Sequence, residues 1–291
     1  KKISKKFDSQ VTIIQNKTNR GFAGGVNDGI NYALDKGAEF VALFNNDARD
    51  DNKWLAELLA PMLEDEHIGI TAGKLLHWDG KKIDSTGDFY SSWLLAFPRG
   101  RDELAADKYL EPEYIFGATG GASLYRTSML RQIGLFDEDF FAYYEDVDIS
   151  FRAQLSGWKA YYNPKALAYH RIGATSSKMP GFDAYHTVKN VPLIWIKNLP
   201  LGLWWPRVPK FYITYILMLA SISRKGNFGS VVRGTMVLWL LIPKKLLERR
   251  KIMGLKQVTS QYLVSIFYPD LPPDRHKLRK LRANVMFWKQ A

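Results

Sequence analysis

Phe40-Val41-Ala42-Leu43-Phe44-Asn45-Asn46-Asp47 is the stretch on which the fold turns. Five apolar residues closed by three polar ones suit a strand covered on both faces within a parallel sheet. Upstream, Val11-Thr12-Ile13-Ile14 is a short β-branched run that predicts another strand. After Asn19 and a glycine-rich turn, the pattern becomes helical through Ile30, Ala33 and Leu34. Downstream, Trp54, Leu55, Leu58, Leu59 and Met62 recur at helical spacing from about Asn52, and a strand follows at Ile68–Gly73. Alternating strands and helices predict an α/β domain.

Farther on, residues 79–112 lack clear periodicity and read as loops or a small hairpin. Residues 114–125 are strand-like around glycines, 127–133 form a short helix, and 147–156 form a helix ended by Gly157. Two strand-like runs follow, Lys159–Tyr162 and Ala166–His170. Past Pro192 the chain turns aromatic, cationic and apolar, so a first domain is expected to span 1–196 and a second module 197–291.

Composition narrows the chemistry. Hydrophobic residues at 46% with 24% charged place the 291-residue chain among folded globular proteins. No cysteine is present, which excludes disulfides, thiolate nucleophiles and Cys-ligated zinc; a metal would be held by oxygen and imidazole nitrogen. The net charge of +12 is unevenly spread. Residues 1–196 hold 23 Lys+Arg against 26 Asp+Glu, and residues 197–291 hold the other 18 against 3. The basicity belongs to the second module, which is expected to seek an anionic surface. The chain begins with Lys1, and its first sixteen residues hold no apolar signal-peptide core.

Three motifs carry the chemistry. Asn45-Asn46-Asp47 directly follows the apolar strand, where ligands of open α/β sheets bind, so Asp47 and Asn45 offer hard oxygen ligands to Mg²⁺ or Mn²⁺. The bland reading is an Asx turn before the next helix. Asn19-Arg20-Gly21-Phe22-Ala23-Gly24-Gly25-Val26-Asn27-Asp28-Gly29 opens a helix with three glycines, letting backbone N–H groups approach a phosphate or base, with Arg20 adding charge. Its spacing matches neither a Walker loop nor a dinucleotide fingerprint. Glu145, Asp146 and Asp148 set three carboxylates within four residues among Phe140, Phe141, Tyr143 and Tyr144, after Gly120-Gly121. Mutual repulsion raises a proton affinity, as a general base requires, while a solvated helix N-terminus explains Asp148 equally well. His170 can complete an oxygen-plus-imidazole site with Asp47, and Arg171 with Thr175, Ser176, Ser177 and Lys178 can face a diphosphate.

In this order, from Val11 to Pro200, the segments resemble the inverting family 2 glycosyltransferases of the GT-A fold, especially the bacterial rhamnosyltransferase-like branch. The resemblance implies a mixed sheet flanked by helices and a nucleotide-diphosphate sugar donor, dTDP- or UDP-linked. It implies that Asp47 anchors Mg²⁺ or Mn²⁺, with His170 a further ligand, and that Asp146 deprotonates the acceptor hydroxyl with Glu145 in support. The donor is expected to meet Asn19, Arg20, Gly21, Asn27, Asn45, Gly120 and Gly121. Two departures stand out: Asn45 replaces the first Asp of the family's Asp-x-Asp, and two further nucleotide-cradling strands are not found ahead of Val11. They leave a non-catalytic glycan-binding or scaffold protein on a decayed transferase fold as the alternative.

The apolar runs 211–222 and 234–242 are too short to span a bilayer, which takes roughly 20 residues. With Trp204, Trp205, Arg207, Lys210, Lys244, Lys245, Arg249, Arg250 and Lys251 around them, they are expected to lie on an anionic membrane. The other reading is a packed helical subdomain or a homo-oligomer contact. Nucleic acid is not expected, because the basic residues alternate with aliphatic runs. The module would place the enzyme peripherally on the cytoplasmic face of the cell membrane, beside a lipid-linked or cell-wall polysaccharide acceptor.

Overall fold

The structure is a computed structural model that describes residues 11–171, except 107, and 179–273; Thr175–Lys178 lie outside the described residues. Helix α1, Gly21–Asp35, buries Ala23, Gly24, Asn27 and Ile30 on one face. There follow β1 (Phe40–Phe44), β2 (Ala48–Asp50), α2 (Trp54–Glu64), β3 (Ile68–His77), β4 (Ile83–Ser85), β5 (Asp88–Tyr90) and β6 (Ala96–Pro98). Next come β7 (Glu113–Ile115), β8 (Ala122–Arg126), α3 (Thr127–Ile133), α4 (Glu145–Leu155) and β9 (Lys159–His170). Helices α5 (Phe182–Asn198), α6 (Trp204–Ile222), α7 (Phe228–Gly254) and α8 (Ser260–Ile266) complete the described chain, with a π-helical link at Ser223–Asn227 between α6 and α7.

The main sheet runs β1-β8-β3-β9-β2, with β4 on β3 and β7 on β9. Strand β8 is antiparallel to both β1 and β3, while β3 and β9 are parallel. Strands β1, β3 and β9 therefore point the same way, and their carboxyl ends share one rim. Phe44 pairs with Ala122 and Ala48 pairs with His170, so the start of β8 and the start of β2 reach that rim too. Topology alone thus gathers Asn45, Asp47, Gly120, Gly121 and His170.

The sheet is mixed, and this revises the setting expected for β1. Its partner is antiparallel, and only Leu43 of its five residues is buried. Residues 11–16 form no strand, and Val11, Ile13 and Ile14 are exposed. The two runs expected at 159–162 and 166–170 are one strand: Gly73 pairs with Asn163 and Lys74 with Leu167, so residues 164–166 bulge without ending the ladder. A Cβ at Gly73 would meet the Ala166 carbonyl oxygen at 2.0 Å, which is why β3 carries a glycine opposite the bulge.

The core does not stop at residue 196, which falls inside α5. Tyr90, Phe116 and Phe151 of the α/β part share one apolar cluster with Val191, Trp195, Phe211, Leu238, Ile252 and Phe267. Tyr90 and Phe116 stack with centroids 5.3 Å apart, and Phe267, just past the last helix, meets Tyr90 edge-on at 5.4 Å. Lys245 and Arg249, which the sequence suggests as membrane contacts, are buried here. No helix among the described residues is long and apolar enough to cross a membrane.

Candidate active site

The rim has two poles. At the first, Asp47 Oδ1 and His170 Nε2 converge to 3.2 Å, with both side chains partly open to solvent. The backbone supports the pairing, since Arg171 N–H donates to the Asp47 carbonyl at 3.0 Å. On the inner side of the ring, His170 Nδ1 lies 2.7 Å from Asp84 Oδ2. Burial acts to lower the His170 pKa, but the two carboxylates outweigh it and raise it. Two donors of the right chemistry, one hard oxygen and one imidazole nitrogen, therefore point at one accessible spot, which fits Mg²⁺ or Mn²⁺.

At the second pole, Asp146 stands in the first turn of α4, where Val147 N–H donates to its Oδ1 at 2.9 Å and Gly120 N–H to its Oδ2 at 3.0 Å. Burial raises its pKa, and those N–H groups pull it back. The result is a carboxylate with enhanced basicity that remains anchored. Glu145 turns inward: it is 5% exposed, its Oε2 has no hydrogen-bond partner, and burial plus the Asp146 charge push its pKa well up. Asp88, in the segment that shows no periodicity, is also buried and raised by burial and by Asp146. Burial thus raises the proton affinity of Glu145, Asp88 and Asp146 alike.

The segment 117–121 joins the poles. Asn45 N–H donates to the Gly121 carbonyl at 2.9 Å, while Gly120 reaches Asp146 on the other side. A Cβ at Gly120 would meet the Phe22 ring at 2.8 Å, so the close approach there favours glycine, while one at Gly121 would sit tightly, 3.3 Å from Asn45 Nδ2. Beside them Phe22, Ile30, Val41, Leu43, Asn45 and Gly120 line a cleft of about 540 Å³.

Residues 1–134 match the family described as "Glycosyl transferase family 2". That stretch of the chain is similar to a family 2 glycosyl transferase domain. Among curated proteins it is 28% identical over 150 residues to the low-salt glycan biosynthesis hexosyltransferase Agl10 of Haloferax volcanii, covering 50% of this chain and 46% of that protein. It is 24% identical over 219 residues to the dTDP-rhamnosyl transferase RfbF of Shigella flexneri, covering 72% of each. The fold is similar to that of GalNAc-T7, solved with UDP, GalNAc and Mn²⁺, at a TM-score of 0.56 and 18% identity, covering 72% of this chain and 40% of that one. The chain therefore spans less than half the length of Agl10 and of the GalNAc-T7 chain.

Within the fold the glycine-rich motif acts as a staple. Asn19 Oδ1 accepts from Gly21 N–H at 2.9 Å, turning the chain into α1. Gly21 has φ +69°, and a Cβ there would meet the Phe141 carbonyl oxygen at 2.3 Å. The buried Asn27 exchanges hydrogen bonds with the Phe136 backbone, at 2.8 and 3.0 Å. Arg20 is shared between Asp28 and Glu138, so its charge is already matched by two carboxylates. These side chains dock α1 against the loop that leads into Asp146.

That loop is strained and held from α5. Phe141, Tyr143 and Tyr144 all have positive φ, between 65° and 70°, a region costly for non-glycine residues. The Asn190 amide nitrogen lies 2.8–3.0 Å from the carbonyls of Phe140, Ala142 and Tyr143, and Lys189 Nζ lies 2.5 Å from that of Asp139. Burial brings the Lys189 pKa down to about 8. Nothing in an apolar helical run marks these two residues; their partners lie some fifty positions upstream.

Asp148 has a role unlike that of a surface helix cap. It is fully buried and meets Arg152 at 2.9 Å, Lys197 at 2.9 Å and Asn198 at 2.8 Å. Lys197 also meets Asp137, at 2.6 Å, and Lys245 sits among Asp137, Asp139 and Glu248 at 2.5–2.9 Å. Those three carboxylates lie close enough to hold a metal ion. An ammonium group already fills the space, so the cluster serves as an internal ion network tying α7 to the domain.

Proposed function

We propose that this chain is an inverting, metal-dependent glycosyltransferase that moves a sugar, rhamnose by analogy with RfbF, from a dTDP- or UDP-linked donor to a glycan or lipid-linked acceptor. The observation that carries the reading is the rim arrangement, with Asp47 and His170 converging on one point and Asp146 across Gly120-Gly121. When bound, Mg²⁺ or Mn²⁺ would neutralise charge on the departing diphosphate. Asp47 and His170 would hold it, and the cleft beside α1 and β1 would receive the donor. Asp146 takes the proton of the acceptor hydroxyl as its oxygen bonds to the anomeric carbon, and the bond to the diphosphate oxygen breaks on the opposite face. One displacement inverts the centre, and the nucleotide diphosphate leaves.

A peripheral position on the cytoplasmic face of the cell membrane, with growing wall or surface polysaccharide as acceptor, is part of the same proposal. It is supported by exposed Trp205, Ile213, Ile216, Met236, Trp239 and Leu240 on α6 and α7, near exposed Lys210, Arg224, Lys225 and Arg233. The test is release of nucleotide diphosphate from a panel of nucleotide sugars with and without Mn²⁺. The reading expects Mn²⁺-dependent turnover of one donor, lost in Asp47→Ala; turnover with unchanged metal dependence in that variant refutes the ligand role.

A further inference from the structure

Each nitrogen of the His170 ring faces a carboxylate, and the inner one is held by a buried partner. Asp84, in β4, is 2% exposed, and its Oδ2 lies 2.7 Å from Nδ1. Its other oxygen, Oδ1, pairs with the Arg101 guanidinium at 2.6 Å, and Arg101 Nε donates to the Asp84 backbone carbonyl at 3.1 Å. Register fixes the approach from two directions: Leu75 pairs with Ser85 on one side of β3, and His77 pairs with His170 on the other. Held against a guanidinium, the Asp84 carboxylate is an acceptor, so the proton facing it resides on Nδ1. The lone pair available for an ion is then on Nε2, the nitrogen that faces Asp47. An aspartate orienting an imidazole in this way fixes both its tautomer and its ring plane.

We propose that Asp84, backed by Arg101, is a positioning residue that presents His170 Nε2 to a divalent cation beside Asp47. This rests on the reading of Asp47 and His170 as ion ligands. No sequence pattern singles out Asp84, because its partner lies 86 positions away and its own segment shows no periodicity.

Two measurements on the whole chain test it. The first is the imidazole ¹⁵N spectrum of metal-free protein at a pH where His170 is neutral: the Nδ1–H tautomer is expected in the wild type and its loss in Asp84→Leu. A wild-type Nε2–H tautomer overturns the proposal. The second is titration with Mn²⁺, alone and with UDP or dTDP, read from the free-ion electron paramagnetic resonance signal. Asp84→Leu should bind Mn²⁺ roughly 10- to 100-fold more weakly, the usual effect of removing such a partner. Asp84→Asn keeps the volume, serves if the leucine variant unfolds, and should also be weaker than wild type. In His170→Gln, adding either Asp84 change should cost no more than about twofold, whereas a general structural role would weaken binding in both backgrounds. Wild-type-like affinity in both Asp84 variants, or equal losses with and without His170, overturns the proposal alone. Failure of the wild type to take up Mn²⁺ under any of these conditions overturns it together with the metal reading.

Discussion

Replacing Asp148 with alanine should unfold the chain's interior long before it touches the chemistry. The carboxylate is fully buried and faces three donors, the Arg152 and Lys197 cations and the Asn198 amide, at 2.8–2.9 Å. Lys197 retains Asp137, but Arg152 is left with only backbone carbonyls of Ile133, Gly134 and Leu135. Removing one partner of a buried ion pair costs about 3–5 kcal/mol, because a cation stays desolvated without its counter-charge. At roughly 2–4 °C per kcal/mol for a chain of this size class, the melting temperature should fall by about 6–20 °C. Asp148→Asn keeps the shape and one acceptor and should lose less. Burial opposes ionisation of Asp148, yet Lys197 and Arg152 hold its pKa below the ordinary value. Its contribution is therefore present above the unfolded carboxylate pKa near 3.9 and fades as pH falls through the lower folded value. Urea unfolding of both variants near pH 7 measures the loss. A change under about 1 kcal/mol for Asp148→Ala would refute the ion-network account.

Asn190→Ala frees three carbonyls of the strained loop from their shared donor, and should destabilise by about 1–3 kcal/mol and lower turnover more than donor affinity; equal turnover with a loosened loop would contradict the positioning role. His170 has a raised pKa, so its contribution to stability is full below about 6.5, the unfolded value, and is lost as pH rises through the higher folded one. Unfolding free energies of wild type and His170→Gln should therefore differ most in acid and converge above the folded pKa, and a difference that grows toward alkaline pH would be wrong-signed.

Much of this organisation is legible from sequence because it is local. The apolar run 40–44 is a strand and the polar residues after it reach the rim, as ligand placement beyond strand ends implies. Helices α3 and α4 fall within two residues of the expected 127–133 and 147–156. What sequence hides is set by distance. Asp84 and Asp88 sit in a segment without pattern, and only folding brings them to His170 and the Asp146 field. Lys197 and Lys245 read as surface charge in a basic tail, yet their partners, Asp137, Asp139 and Asp148, lie about fifty to a hundred residues upstream. The β-branched run 11–14 shows the converse: it pairs with no neighbour among the described residues, and propensity alone yields no strand.

The division of labour within Glu145-Asp146-Val147-Asp148 is the centre of the account, and one comparison addresses it. Nucleotide diphosphate release with Mn²⁺ should be measured for wild type and Asp146→Asn, alongside calorimetric donor binding. Loss of a positioned base predicts turnover reduced by roughly 10²–10⁴-fold, with donor affinity and unfolding free energy nearly unchanged. Turnover within a few-fold of wild type would contradict Asp146 as the base.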